Sequence, residues 1–438
     1  MSRSPAPTGA PREKVLVCGV LLEDARAELG ALLGEAQDLV RAAGAEVVGE
    51  VIVQKRLRPH PATLMGRGKV EEVAHAARGA GADAVLVDNN LSPAQLRNLE
   101  KAWDLRVFDR SELILDIFAR RAKTRQASLQ VELAQNEYLL PRLRRMWTHL
   151  ERTEGAIGTR GPGETQLETD RRLLRKRVHD LRTQLKQIEA HRLRQVESRR
   201  DLFQVGLVGY TNAGKSTLLN RLTGSGEFVA DMPFATLDTR TRQWSLPDGR
   251  TVLLSDTVGF LQRLPHHLVA SFHATLEESI HADLLLHVID VSHPDVQGQM
   301  LAVEETLAAI APGLAPQVLV FNKVDRVEDP ISLHLLEQDR DQDVVYISAA
   351  TGEGLERLAQ RVAAELDQRS ERVDVFLAPD TLRLSGPVRE LAALEEEEWC
   401  PDGSLRLRVR ITDEALGNLR HQAGRGAGMR IAPVVPAG

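Results

Sequence analysis

One stretch of eight residues constrains this chain more than any other. Phe203 to Val208 reads as a short buried strand. It runs straight into Gly209, Tyr210, Thr211, Asn212, Ala213, Gly214, Lys215 and Ser216, and a helical pattern from Thr217 to Leu222 follows. This is the spacing G-x4-G-K-[ST] in the strand–loop–helix setting that a phosphate-binding loop requires. Glycines let main-chain N–H groups wrap a phosphate, and the helix start adds its dipole. Lys215 is expected to reach the β- and γ-phosphates, and Ser216 to ligate Mg²⁺. A glycine-rich turn without a ligand is the plain alternative, and the downstream elements count against it.

Thr251 to Leu254 is a second strand, ending in Ser255, Asp256, Thr257, Val258 and Gly259. Asp256 suits water-mediated Mg²⁺ binding, and Gly259 lets a backbone N–H meet a γ-phosphate. A third strand, Gln317 to Phe321, ends in Asn322, Lys323, Val324 and Asp325. A carboxylate there accepts from guanine N1–H and the exocyclic amine. Adenine lacks that donor pair, so Asp325 predicts GTP rather than ATP. Val344 to Ile347 leads to Ser348, Ala349 and Ala350, whose backbone is expected to bracket the guanine oxygen. Between the first two elements lie Phe234, Ala235, Thr236, Leu237 and Asp238. Thr236 is expected to complete the Mg²⁺ shell when the γ-phosphate is present, with Thr239 and Thr241 as competitors. The expected metal set is therefore Ser216, Thr236 and Asp256, and the catalytic set Lys215, Thr236 and Gly259. GTP is the expected substrate and Mg²⁺ the cofactor.

The rest of the 438 residues fits an α/β protein of several domains. Residues 1–13 read as a disordered lead without an apolar secretory region. Strands and helices alternate over 14–110, as in a small α/β domain, with one strand expected over 46–54. Ser92, Pro93 and Gln95 read as a capped helix start. Residues 111–200 read as a long antiparallel helical hairpin whose first arm runs from Ser111 to Pro141, with a glycine-rich tip at 155–163. Leu174, Val178, Leu181, Leu185 and Ile188 form its heptad seam. Residues 201–370 carry the nucleotide elements on a mixed, mostly parallel sheet, and 371–438 a small α+β domain. The chain carries −6 overall. Its 120–200 segment holds 20 Lys and Arg against 10 Asp and Glu, so one basic patch sits in an otherwise acidic chain. At 4% aromatic content, base-stacking platforms are not the main device. Cys18 and Cys400 make no disulfide framework and are expected to be buried small apolar groups. No run of 18 apolar residues suggests a membrane span, and a cytoplasmic location follows by elimination.

Together the nucleotide elements look like the guanine-nucleotide domain of translation-factor-related GTPases. Gly158-Thr-Arg-Gly-Pro-Gly-Glu164 through Arg172 resembles the signature of the HflX family. So do Gly66 to Lys69 with Glu71 and Glu72, Phe108 to Arg110 with Phe118, Gln130 to Ala134, and Phe234 to Asp238. The resemblance covers about residues 14–370. It implies a GTPase that binds the large ribosomal subunit and splits or rescues stalled or idle ribosomes under stress. The basic helices suit an rRNA channel; a coiled coil that only spaces two domains is the alternative. ATP binding by the N-terminal domain stays open, and Gly66 to Lys69 reads as a turn before a helix. The chain is expected to act as a monomer.

Ras-like GTPases place a water-orienting glutamine where this chain has Phe260. Slow intrinsic hydrolysis is therefore expected, raised when rRNA or another group reorders the switches. Asn212 resembles a residue that helps bind K⁺ in some such enzymes; bracing of the loop is the equal alternative. Two other functions compete. One is an assembly factor that keeps GTP as a structural ligand. The other is a tRNA-modification GTPase, which Cys400 beside Glu395 to Glu398 supports poorly.

Overall fold

The computed structural model describes residues 12–22, 29–145, 162–197, 202–225, 233, 240–257, 259–261, 282–310, 315–327, 333, 336, 342–423 and 428–434. They fall into two compact units, taken here one at a time.

The first unit opens with β1 (Lys14–Leu22), α1 (Leu29–Ala42), β2 (Glu46–Val47), β3 (Ile52–Arg56), α2 (Arg67–Ala80), β4 (Ala84–Val87), α3 (Pro93–Trp103) and β5 (Arg106–Asp109). The sheet is parallel, in the order β2-β1-β4-β5 with β3 also beside β1. Val85, Val87, Leu96 and Leu99 are among the fully buried residues of its core. The α3 start forms as its sequence dictates. Gln95 N donates to Ser92 Oγ, Ser92 N donates to the Gln95 side chain, and Pro93 occupies the first turn. Gly66 stands at the N-cap of α2 with no capping side chain, its N–H donating to Gln54 Oε1 at 2.8 Å.

Two local expectations need correction. The single strand over 46–54 is two. Gly49 turns left-handed at φ +70°, and a Cβ there would lie 2.9 Å from Leu16 Cδ1. The chain leaves the ladder at that point and rejoins β1 at the Cys18–Ile52 pair. The long helix from Ser111 is also two, α4 (Arg110–Arg121) and α5 (Arg125–Leu139). Thr124 Oγ1 accepts from Ala127 N at 3.1 Å and so starts a new helix. Helix α4 buries Ile114, Ile117 and Phe118.

Helix α6 (Pro162–Glu197) packs Val178 and Leu181 on Leu129 and Leu133 of α5, with Leu185 and Ile188 alongside. The heptad seam thus meets a partner. Its direction differs from the expected antiparallel hairpin. Arg177 pairs with Glu132 and Arg182 with Glu137, at 2.6 and 2.7 Å. Partners five residues on along one helix are five on along the other, so these stretches run in the same sense. The expected glycine-rich tip lies outside the described residues. A cavity of about 550 Å³ in this unit is lined by acids and arginines alike, Glu13, Glu112, Arg106 and Arg142 among them. Among the described residues no glycine-rich loop borders it.

The second unit holds β6 (Gln204–Gly209), α7 (Lys215–Thr223), β7 (Arg240–Ser245), β8 (Thr251–Asp256), β9 (Leu284–Asp290), α8 (Val296–Ile310), β10 (Gln317–Asn322), β11 (Val344–Tyr346) and α9 (Leu355–Gln368). The sheet order is β11-β10-β9-β6-β8-β7, parallel except for the antiparallel β7. Strands β6, β9 and β10 are apolar and buried on both faces, as central parallel strands must be. The chain continues into β12 (Ser370–Leu377), α10 (Ser385–Leu391), β13 (Ala393–Trp399), β14 (Leu405–Thr412), α11 (Asp413–Ala423) and β15 (Met429–Pro433). These strands form an antiparallel sheet, β13-β14-β12-β15, around Val375, Leu407 and Leu419.

An ionic chain ties this last sheet to the larger one. Arg250, in the turn between β7 and β8, is 2% exposed. It donates to Asp248 at 2.6 Å and pairs with Asp367 of α9 at 2.9 Å. Asp367 also meets Arg410 of β14 at 3.1 Å, and Arg410 meets Glu395 of β13 at 2.7 Å. Cys18 is buried as expected; Cys400 is only half-buried, beside the β13–β14 turn.

Candidate functional site

The site forms where β6, β8, β9 and β10 end. Gly209 closes β6 at φ +150°, and a Cβ there would sit 2.2 Å from the backbone oxygen of Val288 on β9. Gly214 turns at φ +96°, where a Cβ would meet Asn322 Nδ2 at 2.2 Å. Neither position admits a larger residue, so both glycines of the spacing are steric requirements. Between them Asn212 is left-handed at φ +62°, and among the described residues its exposed side chain makes no hydrogen bond.

Lys215 is 6% exposed, and its Nζ donates to Gly209 O at 2.9 Å and Tyr210 O at 2.7 Å. Burial lowers its pKa to about 8, against the upward pull of Asp256. The unfolded chain therefore binds the extra proton between pH about 8 and 10.5, and this group adds stability as pH rises through that window. A phosphate at Nζ favours the charged form. Affinity for tripolyphosphate is therefore expected to fall above pH about 8, with proton uptake on binding. Calorimetry in buffers of differing ionisation heat measures this, and Lys215→Met should remove the proton uptake.

Ser216 Oγ donates to Asp256 Oδ2 at 2.6 Å, and Asp256 is fully buried. A hydroxyl and a carboxylate converging at a helix start are hard oxygen donors that fit Mg²⁺. Beyond β8, Phe260 makes a single bridge to Tyr210 of the loop. Phe260 N donates to Gly209 O at 3.1 Å, and Thr211 N donates to Phe260 O at 2.8 Å. A Cβ on Gly259 would be 2.8 Å from Thr211 Cγ2 and 3.2 Å from Lys215 Nζ. Phe260 itself is 2% exposed. Thr257 Oγ1 donates to Leu207 O at 2.7 Å, facing the sheet. Thr241 shares a hydrogen bond with Ser255 within the β7–β8 pair. Phe234, Ala235, Thr236, Leu237, Asp238, Thr239 and Val258 lie outside the described residues.

On the other side, Asn322 Nδ2 donates to Ala213 O at 2.7 Å, and its Oδ1 accepts from Ala349 N at 2.9 Å. One buried amide thus clamps the phosphate loop to the 348–350 turn. Arg221 of α7 adds a bond to Thr351 O at 3.1 Å. Ser348 is buried, while Asp325 and Ala350 are exposed at the rim. Lys323 is left-handed at φ +65°, and its Nζ meets Asp290 Oδ2 at 2.6 Å. Asp290 was not singled out in the sequence. Its role needs the register that sets it beside Asn322.

Comparison with known proteins then decides the family. A GTPase HflX of Escherichia coli (strain K12) is 46% identical over 381 residues, covering 86% of this chain and 89% of the relative. The chain belongs to the HflX family of GTPases. It is a GTP hydrolase by that membership. A GTPase HflX of Magnetococcus marinus is 41% identical over 430 residues, 97% of this chain and 98% of the relative. Four family models match in order: GTP-binding GTPase N-terminal at 31–119, GTP-binding GTPase Middle Region at 121–199, 50S ribosome-binding GTPase at 204–323 and HflX C-terminal domain at 335–431. A solved GTP-binding protein of Sulfolobus solfataricus in complex with GDP is 23% identical, covers 81% of this chain and 99% of that one, and has a TM-score of 0.42. Among the described residues no helix is long and apolar enough to cross a membrane.

Proposed function

We propose that this HflX-family GTPase acts in the cytoplasm on the large ribosomal subunit, splitting or rescuing stalled or idle ribosomes under stress. In this reading the amides of 209–216 and Lys215 hold the phosphates of GTP. Ser216 and Asp256, with Thr236, would hold Mg²⁺, which would supply positive charge against the phosphates. Gly259 offers its N–H to the γ-phosphate. Asn322, Lys323, Val324 and Asp325 with 348–350 hold the guanine. The clamp of Asn322 between Ala213 and Ala349 carries the reading, because it sets the phosphate and base halves at a fixed span. Phe260 has no group to orient water, so turnover depends on a partner. Exposed Arg172, Arg175 and Lys176 on α6 suit an rRNA backbone.

The test is gradient co-sedimentation with 30S, 50S and 70S particles. Co-migration with 50S in a non-hydrolysable GTP analogue, lost in GDP, is the expected result. Equal binding in both states overturns the switch. GTP turnover should rise when 50S is added; unchanged turnover favours an assembly factor that keeps GTP as a structural ligand.

A K⁺ ion held at Asn212 and bracing of the loop by its left-handed backbone differ in the salt dependence they predict. With the ion, turnover should be faster in KCl than in NaCl at equal ionic strength; equal rates remove the ion.

A further inference from the structure

Lys323 is held at both ends. Its backbone is in the left-handed region, which a residue with a Cβ adopts only when its surroundings impose it. Val324 N, next in the chain, donates to Ile347 O at 3.3 Å. At the far end Nζ meets Asp290 Oδ2 at 2.6 Å, with the two side chains only 15% and 12% exposed. The carboxylate is itself fixed. Its Oδ1 accepts from Ser292 N at 3.0 Å and from Ser292 Oγ at 2.6 Å. Asp290 closes β9 directly beside Asn322, the residue that clamps the two halves of the site. Two strand ends, one turn and one ion pair thus fix the path of four methylene groups between Asn322 and Asp325.

We propose that Asp290 is a positioning residue for guanine nucleotides, acting through Lys323. The pair draws the ammonium back toward β9 and leaves the stem as an apolar wall for the flat face of the purine. A lysine free at its tip would lose rotamer freedom on meeting the base; a tethered one has already lost it. Asp290 therefore contributes to base affinity without touching nucleotide. The inference rests on the guanine site proposed above.

The experiment uses the full chain and three variants, Asp290→Asn, Lys323→Met and the double. Asp290→Asn keeps the shape and an oxygen for Ser292 but removes the charge. GDP affinity with Mg²⁺ and tripolyphosphate affinity are measured by calorimetry, and the nucleotide-free melting temperature by scanning calorimetry. Asp290→Asn should weaken GDP by up to about tenfold, the order expected when one long side chain must be immobilised on binding. Breaking a pair this buried should lower the melting temperature, yet tripolyphosphate, which lacks a base, should bind unchanged. Adding Asp290→Asn to Lys323→Met should cost GDP nothing further. Unchanged GDP affinity in Asp290→Asn, an equal loss for tripolyphosphate, or additive losses in the double variant each overturn the proposal. If the unaltered chain takes up no GDP, the guanine-site reading fails first. Tight GDP binding by both the unaltered chain and Asp290→Asn sinks this inference alone.

Discussion

Replacing Asp325 by asparagine is expected to lower GTP and GDP affinity by about 100-fold or more, and to bring in xanthine nucleotides instead. The carboxylate has two acceptors for guanine N1–H and the exocyclic amine. An amide offers N–H where the exocyclic amine also offers N–H, so two donors face each other and one bond is lost. Xanthine carries oxygen at that position and accepts from the amide. Asp325 lies exposed at the strand end, so its replacement leaves the core intact. Competition binding with GDP, XDP and ADP reads the result. A variant that keeps guanine preference would show that another group reads the base.

Gly209→Ala should be the most damaging small substitution in the larger sheet. The new methyl would meet a backbone oxygen of the adjacent strand at 2.2 Å, where no flexible side chain can yield. The strands must part at the paired Gly209–Val288 position, just where the phosphate loop begins. A loss of about 3 kcal/mol or more is expected, with nucleotide binding abolished. Gly224→Ala is the control. It too has a positive φ, +65°, but among the described residues nothing lies within 4 Å of the added carbon. It should lose about 1 kcal/mol, the cost of the conformation alone. Thermal melts that move equally for the two variants would refute the steric account.

These positions also show what a sequence discloses. The phosphate loop was legible because its glycines are steric necessities at fixed spacing, and the α3 start because all its capping partners lie within four residues. Thr124 was equally local, yet apolar periodicity runs on through 111–141 and masked the helix start it makes. The break at Gly49 was hidden, because it depends on Leu16 and Ala80 crowding in from elsewhere. The direction of α6 was hidden for a related reason: a heptad seam specifies a partner face but not its polarity. Asp290 needed the β9–β10 register before its pairing with Lys323 had meaning.

The ribbon of β7 and β8 carries one more implication. At one end β8 delivers Asp256; at the other, Arg250 is bolted through Asp367 to the C-terminal sheet. The turn of that ribbon is thereby fixed by charge pairs rather than left as a free hairpin tip. The C-terminal sheet and the metal-ligand candidate Asp256 thus sit at opposite ends of one short antiparallel pair, joined by strand pairing and a single ionic chain.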